Sequence, residues 1–229
     1  MLAIIQNDPE VPLGAFAGYL AEAGTRYATI HPYRGEELPP LKDLSAVIVL
    51  GGAMGVHDTD RHPFLVELKD FIRRCVAHDI PFLGICLGGQ LLADVLGGEV
   101  ISGSPFGEKG TLPVRLTAAG RADPLFEGVP EEFLTFQWHN DFFAIPAGAF
   151  LLAESAACPN QAFRYGEKAW GTQFHPEVDR AIVDCWARWD EKTAPFVGDY
   201  LAAFAAGEKA YRSASRRMLR NFVAFSGCR

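Results

Sequence analysis

Short apolar runs alternate with segments whose apolar residues recur every three or four positions along the first hundred residues. Runs of strand length occupy residues 2–6, 27–30, 46–50 and 80–85, and helical spacing occupies residues 13–23, 64–77 and 89–96. Strands that are apolar on both faces and alternate with helices form parallel sheets covered on both sides. This part of the chain therefore predicts βαβ units built on a parallel sheet.

The pattern changes after residue 98, where short strands follow one another without long helices between them. These strands occupy residues 112–116, 132–136, 150–155, 161–165 and 169–174, with a hairpin connection at residues 166–168. Helical spacing returns at residue 179 and ends in a helix over residues 210–225. We predict a single α/β domain over residues 1–229, a three-layer αβα, flavodoxin-like arrangement with a mostly parallel central sheet and added antiparallel strands. The helical region 180–229 is expected to pack on it.

Composition and charge narrow the classes of function. The chain has 229 residues, 49% of them hydrophobic, and its 21 basic and 28 acidic residues give a net charge of −7. An acidic chain without a basic block is a poor candidate for binding nucleic acid or an anionic membrane. The N-terminus lacks the basic region of a signal peptide, and no apolar run approaches the ~18 residues that span a bilayer. We expect a cytoplasmic protein.

The cysteines are odd in number and form no Cys-x-x-Cys pair: Cys75, Cys86, Cys158, Cys185 and Cys228. This pattern argues against a disulfide framework or a zinc knuckle and favours a reducing compartment. His57 and His62 lie in a polar segment whose spacing matches no metal site, so we expect a surface loop there. The sequence therefore predicts neither a metal nor a cofactor.

The segment around Cys86 carries the clearest chemical signal. It has the form strand, Gly-x-Cys-x-Gly, helix, with Gly84 and Gly88 flanking the cysteine. A nucleophile at a sharp strand-to-helix turn needs small neighbours, and the start of the helix favours the thiolate. The backbone N–H of Leu87 is placed to receive a developing oxyanion. The alternative is a buried cysteine in a glycine-rich turn, so the catalytic interpretation requires a base elsewhere.

A candidate base follows the last predicted strand. His175 is kept extended by Pro176, so the side chain of Glu177 projects to the same side of the chain. Its carboxylate would orient one imidazole nitrogen while the other nitrogen faces the thiol. A surface turn is the alternative for His-Pro-Glu taken alone. Because the strand-to-helix turn at Cys86 is also present, we predict that Cys86, His175 and Glu177 form a catalytic triad in which His175 transfers the proton.

A second oxyanion donor is expected at residues 49–55, where Gly51 and Gly52 end a central strand and leave backbone N–H groups uncovered. The segment is neither Gly-x-Gly-x-x-Gly nor a P-loop, and no helix follows it directly, so nucleotide binding is disfavoured.

These motifs, in this order, resemble the class I glutamine amidotransferase family: Gly51-Gly52, Gly84-Ile85-Cys86-Leu87-Gly88-Gly89-Gln90 and Phe174-His175-Pro176-Glu177. Residues 159–163 and 220–222 resemble the branch of stand-alone proteins similar to the amidotransferase domain of GMP synthase. Two positions depart from the family pattern. Ala53 stands where many members have proline, which predicts a less rigid turn, and Gly89 stands where many have histidine.

The resemblance implies a glutaminase half-reaction, in which Cys86 attacks the side-chain amide of glutamine and ammonia leaves before water hydrolyses the thioester. It implies that the backbone amides of Gly52 and Leu87 form the oxyanion hole and that Gln90 helps hold the glutamine. His139 and Asp141 occupy the place of a His-x-Asp pair that lines the substrate pocket in this branch. Glu108 could approach the same pocket, although we expect it to be a solvated loop glutamate.

Three functions remain open on these residues. The first is a glutaminase that supplies ammonia to a separate synthetase, because 229 residues leave no room for an acceptor domain. The second is a γ-glutamyl peptidase or hydrolase that acts on a small γ-glutamyl compound with the same triad. The third, a non-catalytic regulatory protein that has kept the fold, is opposed by the intact Cys86, His175 and Glu177.

Overall fold

The computed structural model describes residues 1–228, and its centre is a nine-stranded sheet. The strand order is β2-β1-β3-β4-β11-β10-β9-β6-β7. Neighbours from β2 to β11 run parallel, and the remaining four strand pairs run antiparallel. A separate two-stranded antiparallel sheet joins β5 and β8. The predicted mixed α/β fold, with a parallel core extended by antiparallel strands, is confirmed.

The strands are β1 (Leu2–Ile5), β2 (Tyr27–Ile30), β3 (Ala46–Val49), β4 (Phe82–Ile85), β5 (Val100–Ile101), β6 (Glu108–Leu116), β7 (Glu132–His139), β8 (Phe142–Phe143), β9 (Phe150–Glu154), β10 (Ala162–Tyr165) and β11 (Ala169–Thr172). The helices are α1 (Ala15–Glu22), α2 (Phe64–Ala77), α3 (Leu87–Val95), α4 (Ala118–Arg121), α5 (Arg180–Ala187) and α6 (Val197–Ser226). Short 3-10 turns occupy Pro32–Arg34, Leu41–Asp43, Pro124–Phe126 and Ala194–Phe196.

Alternate residues of the buried strands face two separate helical layers. On β1, Ile4 packs in a core with residues of α1 and α6, whereas Ile5 packs in a second core with residues of α2 and α3. The period of two along a strand produces this division, because successive side chains point to opposite faces of the sheet. Helices therefore cover both faces of the parallel part of the sheet.

The C-terminal helix α6 lies against the rest of the protein along much of its length. Met218, Leu219 and Phe222 join the core under α1, while Phe204 and Tyr211 join a third core beside β7 and α5. For residues 180–228, these contacts support the expectation that the C-terminal region packs on the preceding residues, and residue 229 lies outside the described part. The single-domain organisation stays a prediction. Although α6 has 30 residues, no helix within residues 1–228 has both the length and the apolar character needed to cross a bilayer.

The structure corrects several details of the predicted elements. The two-residue strands β5 and β8 were not predicted, because two residues are too short to show a period. Strand β6 begins at Glu108 rather than at residue 112, and β7 continues to His139 rather than ending at residue 136. The expectation of a solvated loop glutamate at position 108 is wrong: Glu108 is buried and pairs with His139 across the two strands.

Candidate active site

Cys86 occupies a strained turn between β4 and α3. Its φ of 50° is one of only two positive values found for non-glycine residues among residues 1–228. A β-carbon added at Gly84 would overlap the carbonyl oxygen of Gly88, and one added at Gly88 would overlap that of Val49. The backbone N–H of Cys86 donates to the carbonyl oxygen of Thr172 at 2.8 Å, which ties the turn to the end of β11. The two glycines thus have the steric role that their spacing predicts.

His175 and Glu177 form a buried pair just beyond β11. Their Nδ1 and Oε1 atoms are 2.7 Å apart, and the side chains are 3% and 0% exposed. The N–H of His175 donates to the carbonyl oxygen of Phe136 at 2.8 Å, so the backbone of this segment is held by β7. The ring of Trp186 packs edge-on against the imidazole with 4.7 Å between centroids. The same-side placement expected for positions 175 and 177 is present in the structure.

The charge of His175 depends on both of its neighbours. Burial by itself lowers the pKa of the imidazole, but the negative charges of Glu177 and Cys86 and hydrogen bonds to both outweigh it and raise the pKa to about 10. Because Glu177 occupies Nδ1, the other ring nitrogen is the one available to the Cys86 sulfur. Gly51 makes room for this approach, since a β-carbon there would lie 3.0 Å from Cε1 of His175 and 3.6 Å from the β-carbon of Cys86.

A pair of glutamines adds a contact to Cys86 that sequence reasoning missed. Gln173 Nε2 lies 3.6 Å from the Cys86 sulfur, and Gln90 Nε2 donates to Gln173 Oε1 at 3.3 Å. Both side chains are buried. A signal for Gln173 was present in the chain, because it precedes His175 by two positions, as Glu177 follows it by two. Gln90 therefore both borders the pocket and orients the amide that faces the sulfur.

Two backbone amides close to Cys86, those of Gly52 and Leu87, are left free to act as hydrogen-bond donors among the described residues. Gly52 lies after β3 and Leu87 begins α3, and neither N–H has an acceptor within residues 1–228. The turn at Gly52 is held by the segment that follows β1, since the Asn7 side chain donates to the carbonyl oxygen of Leu50 at 2.7 Å. The N–H of Ala53 donates to Asp8 at 3.2 Å, a bond that proline could not make. This bond secures the turn at the position where the family pattern has proline.

A cavity of about 230 Å³ opens above Cys86. It is lined by Gly52, Ala53, Met54, Cys86, Gln90, Lys109, Trp138, His139, Asn140, Asp141, Trp189 and Asp190. His139 and Asp141 both line it, as the resemblance implies, although each also has a structural contact. His139 Nδ1 lies 3.0 Å from the Asp141 carbonyl oxygen, and the Asp141 carboxylate accepts from the N–H of Gly103 at 3.0 Å.

The mouth of this cavity carries aromatic and charged groups that the sequence did not indicate. Lys109 Nζ lies 5.2 Å from the centroid of the Trp138 ring and 3.5 Å from a carboxylate oxygen of Asp190. Trp189 follows α5 and also borders the cavity. Lys109 and Asp190 come from distant parts of the chain, so only the fold brings them together.

Helix α6 contacts the backbone that carries the histidine–glutamate pair. The Tyr211 hydroxyl lies 2.9 Å from the carbonyl oxygen of Val178 and 3.1 Å from that of His175. The Ser215 hydroxyl donates to the carbonyl oxygen of Pro176. Burial, together with the negative charge of Glu177, raises the pKa of Tyr211 well above its usual value, so the phenol stays protonated.

Comparison with known proteins identifies the family. The family model of class-I glutamine amidotransferases matches residues 15–182. The chain is 33% identical over 175 residues to the glutamine amidotransferase-like protein YfeJ of Salmonella typhimurium, covering 75% of this chain and 73% of that protein. It is 38% identical over 140 residues to a protein named as one subunit of the glutamine-hydrolysing GMP synthase of Archaeoglobus fulgidus, covering 60% of this chain and 69% of that subunit.

A solved glutamine amidotransferase from Thermotoga maritima superposes with a TM-score of 0.88 at 32% identity and covers 97% of both chains. The chain belongs to the class-I glutamine amidotransferase family. Membership supports hydrolysis of the glutamine side-chain amide in general. The resemblance inferred from the three sequence motifs is confirmed.

Proposed function

We propose that this protein is a glutaminase that releases ammonia from glutamine through a γ-glutamyl thioester on Cys86. The observation that carries the proposal is the position of Cys86 at a positive-φ elbow beside the 2.7 Å pair of His175 and Glu177. A nucleophile next to a base that is itself oriented by a carboxylate is the arrangement used for acyl transfer. The cavity above Cys86 has room for a small amino-acid side chain.

In the first step, the Cys86 sulfur attacks the side-chain carbonyl carbon of glutamine, and the carbonyl oxygen becomes an oxyanion. The backbone N–H groups of Gly52 and Leu87 would receive this charge. The His175 imidazolium then donates its proton to the amide nitrogen, which leaves as ammonia when the C–N bond breaks. The raised pKa of His175 keeps this proton available at neutral pH.

In the second step, neutral His175 takes a proton from water while the water oxygen attacks the thioester carbon. A second oxyanion forms in the same place and collapses with cleavage of the C–S bond. Cleavage leaves the Cys86 thiolate facing the protonated His175, and the new γ-carboxylic acid loses its proton to solvent to give glutamate. Glu177 holds the same imidazole nitrogen throughout, so it fixes the ring while the proton moves on the other nitrogen.

The ammonia would pass to a separate synthetase that acts as acceptor. Support for this partner comes from the similarity to a protein named as one subunit of GMP synthase. A cytoplasmic setting belongs to the same proposal, because the chemistry needs Cys86 as a reduced thiol. Nucleic acid and membrane are not partners in this proposal, since the chain is acidic overall.

The test measures ammonia release from glutamine by the purified protein, alongside hydrolysis of a set of γ-glutamyl peptides. We expect the wild type to release ammonia and Cys86→Ser to lose at least about a thousandfold in kcat, as removal of a triad nucleophile does. Cys185→Ser is the matched control, because Cys185 is half-buried on α5 and does not line the cavity.

Two results would overturn the proposal. Equal activity of wild type and Cys86→Ser would show that no thiol chemistry occurs at this site. The second result is hydrolysis of the γ-glutamyl peptides without hydrolysis of glutamine, both with and without an added ammonia-accepting synthetase. The protein would then be a γ-glutamyl hydrolase.

A further inference from the structure

A second group of chemically reactive side chains lies next to the catalytic cavity and shares one residue with it. Glu108 begins β6, His139 ends β7, and Cys158 lies in the connection between β9 and β10. One ligand atom from each lies within 4.8 Å of the other two, and all three residues are buried. We call this group the Glu108–His139–Cys158 cluster.

The hydrogen bonding of His139 determines which of its nitrogens faces the cluster. Nδ1 lies 3.0 Å from the carbonyl oxygen of Asp141, and a carbonyl oxygen only accepts, so Nδ1 carries the proton. In this tautomer, Nε2 presents a lone pair. This atom has no hydrogen-bond partner within residues 1–228, and the His139 side chain is 1% exposed.

The atom opposite this lone pair is a carboxylate oxygen. Glu108 Oε2 lies 3.8 Å from His139 Nε2. The same oxygen accepts hydrogen bonds from the Ser155 hydroxyl at 2.7 Å and from Gln161 Nε2 at 2.5 Å, so it acts as an acceptor in this cluster. Two electron-rich atoms that face each other inside a protein repel unless a cation or a proton lies between them. The geometry therefore favours a positively charged group between His139 Nε2 and Glu108 Oε2.

The third member makes a metal cation the best match. Cys158 is fully buried, and its thiol donates to the carbonyl oxygen of Asn160 at 3.6 Å. Sulfur, imidazole nitrogen and carboxylate oxygen are the three donor types that bind zinc. The second nitrogen of a zinc-bound histidine normally donates to a backbone carbonyl or carboxylate, as Nδ1 of His139 does here.

We propose that the Glu108–His139–Cys158 cluster binds one zinc-type divalent ion through a carboxylate oxygen, Nε2 and the sulfur. The thiol proton is released to solvent when the metal–sulfur bond forms, and a water molecule completes the tetrahedron. Two ligands of one tetrahedral zinc lie roughly 3.4 Å apart, so the 3.8 Å between Glu108 and His139 needs only a small contraction. The ion would join β6, β7 and the β9–β10 connection and hold the ring of His139 where it borders the catalytic cavity.

The test uses cobalt(II) as a spectroscopic substitute for zinc in the full-length protein. A cobalt–thiolate bond gives a charge-transfer absorption band that cobalt bound to nitrogen and oxygen alone does not give. Cys86 is a competing thiol, so Cys86→Ser and Cys158→Ser are measured with wild type, and Cys185→Ser is the control. We expect one equivalent of cobalt and the band in wild type, Cys86→Ser and Cys185→Ser, with the band lost in Cys158→Ser.

Zinc titration supplies a second readout that keeps the proposal testable if Cys158→Ser does not fold. Glu108→Gln removes one charged ligand and keeps the sulfur, so it should retain the cobalt–thiolate band but bind zinc more weakly than wild type. We expect the zinc affinity to fall by more than the about 10–100-fold that follows from changing a residue outside the ligand set. Zinc should also raise the Tm of wild type and raise that of Glu108→Gln less.

Two results would overturn the proposal. If the band is lost in Cys86→Ser and kept in Cys158→Ser, the metal binds the catalytic thiol instead of the cluster. If neither cobalt nor zinc binds wild type stoichiometrically, the three residues form a buried hydrogen-bonded network with a proton between His139 and Glu108.

Discussion

The hydroxyl of Tyr211 lies 3.1 Å from the backbone carbonyl oxygen of His175, which places the last helix in contact with the segment that bears the candidate base. A second contact follows two residues after Pro176, where the same hydroxyl lies 2.9 Å from the carbonyl oxygen of Val178. Helix α6 thereby holds the backbone on both sides of Glu177. The C-terminal region thus acts as a positioning element for the site.

Removing this hydroxyl should affect turnover more than substrate binding. We expect Tyr211→Phe to lower kcat for glutamine about 10-fold with little change in KM, since the His175 backbone loses its anchor while the cavity lining is intact. The free energy of unfolding should fall by about 1–3 kcal/mol, because a buried carbonyl loses its partner. Steady-state kinetics and urea unfolding measure both effects. Tyr165→Phe is the control, because Tyr165 is a half-buried tyrosine of β10. An equal loss of kcat in Tyr165→Phe would show that the Tyr211 hydroxyl does not anchor the His175 backbone.

The raised pKa of His175 predicts a pH-dependent stability. The pKa is about 10 in the folded protein against the ordinary value of 6.5, so between these values the folded chain holds a proton that the unfolded chain has lost. This contribution is fully present below pH 6.5 and is lost as the pH rises towards 10. The free energy of unfolding of wild type should therefore fall more steeply across this window than that of His175→Gln. Urea unfolding at several pH values measures this free energy. If it depends on pH equally in wild type and in His175→Gln, the prediction is wrong.

A change at Glu177 should shift the titration of the same ring. Glu177→Gln removes the largest favourable charge acting on the imidazolium, so the pKa of His175 should fall. Titration of the imidazole nitrogens by NMR measures this shift directly. The kcat should fall as well, because the uncharged side chain at position 177 no longer stabilises the imidazolium of the proposed first step. A pKa of His175 equal to that of wild type would show that the carboxylate does not control its charge.

The glutamine pair should control the reactivity of Cys86. Gln173→Leu removes the amide that lies 3.6 Å from the sulfur, and we expect Cys86 alkylation by iodoacetamide at neutral pH to slow about 10-fold. Gln90→Leu frees Gln173 to turn and should act in the same direction with a smaller effect. Mass spectrometry of the Cys86 peptide separates this reaction from alkylation of the other thiols. An unchanged rate in Gln173→Leu would remove the role assigned to its amide.

Gly88, two positions after Cys86, should tolerate no side chain. A β-carbon at Gly88 would overlap the carbonyl oxygen of Val49, so Gly88→Ala should cost several kcal/mol of stability, about what a core overpacking does, and abolish activity. Gly18→Ala is the matched control on α1, where a β-carbon meets nothing within 4 Å. That change should raise stability by up to about 1 kcal/mol, because alanine is the better helix former. Thermal unfolding of both variants distinguishes the local cause from a general intolerance.

The elements of the site that lie close together in the chain could be predicted from the sequence. The turn at Cys86 follows from Gly84 and Gly88, and the pairing of His175 with Glu177 follows from their i, i+2 spacing in an extended segment. These are short-range consequences of backbone geometry. Gln173 could have been found by the same rule, since it faces the same side of the strand as His175.

Groups brought together from distant strands could not be predicted in this way. Glu108 was expected in solvent, yet β6 begins at this residue and pairs it with His139. Lys109 of β6 meets Asp190, which follows α5, only because the tertiary structure brings these two segments together. A single sequence shows which face of a strand is buried, but it does not show which strands are neighbours.

By itself, the sequence determined the layered α/β fold and the local geometry around Cys86 and His175, because hydrophobic period and glycine spacing act over a few residues. The tertiary structure decided how these pieces meet. Thr172 of β11 pairs with Ile85 of β4. Because Cys86 directly follows β4, this register places His175 at the same end of the sheet as Cys86. The same sheet order places Cys158 beside His139. Strand order and register depend on how the whole sheet packs, so they are encoded in no single segment.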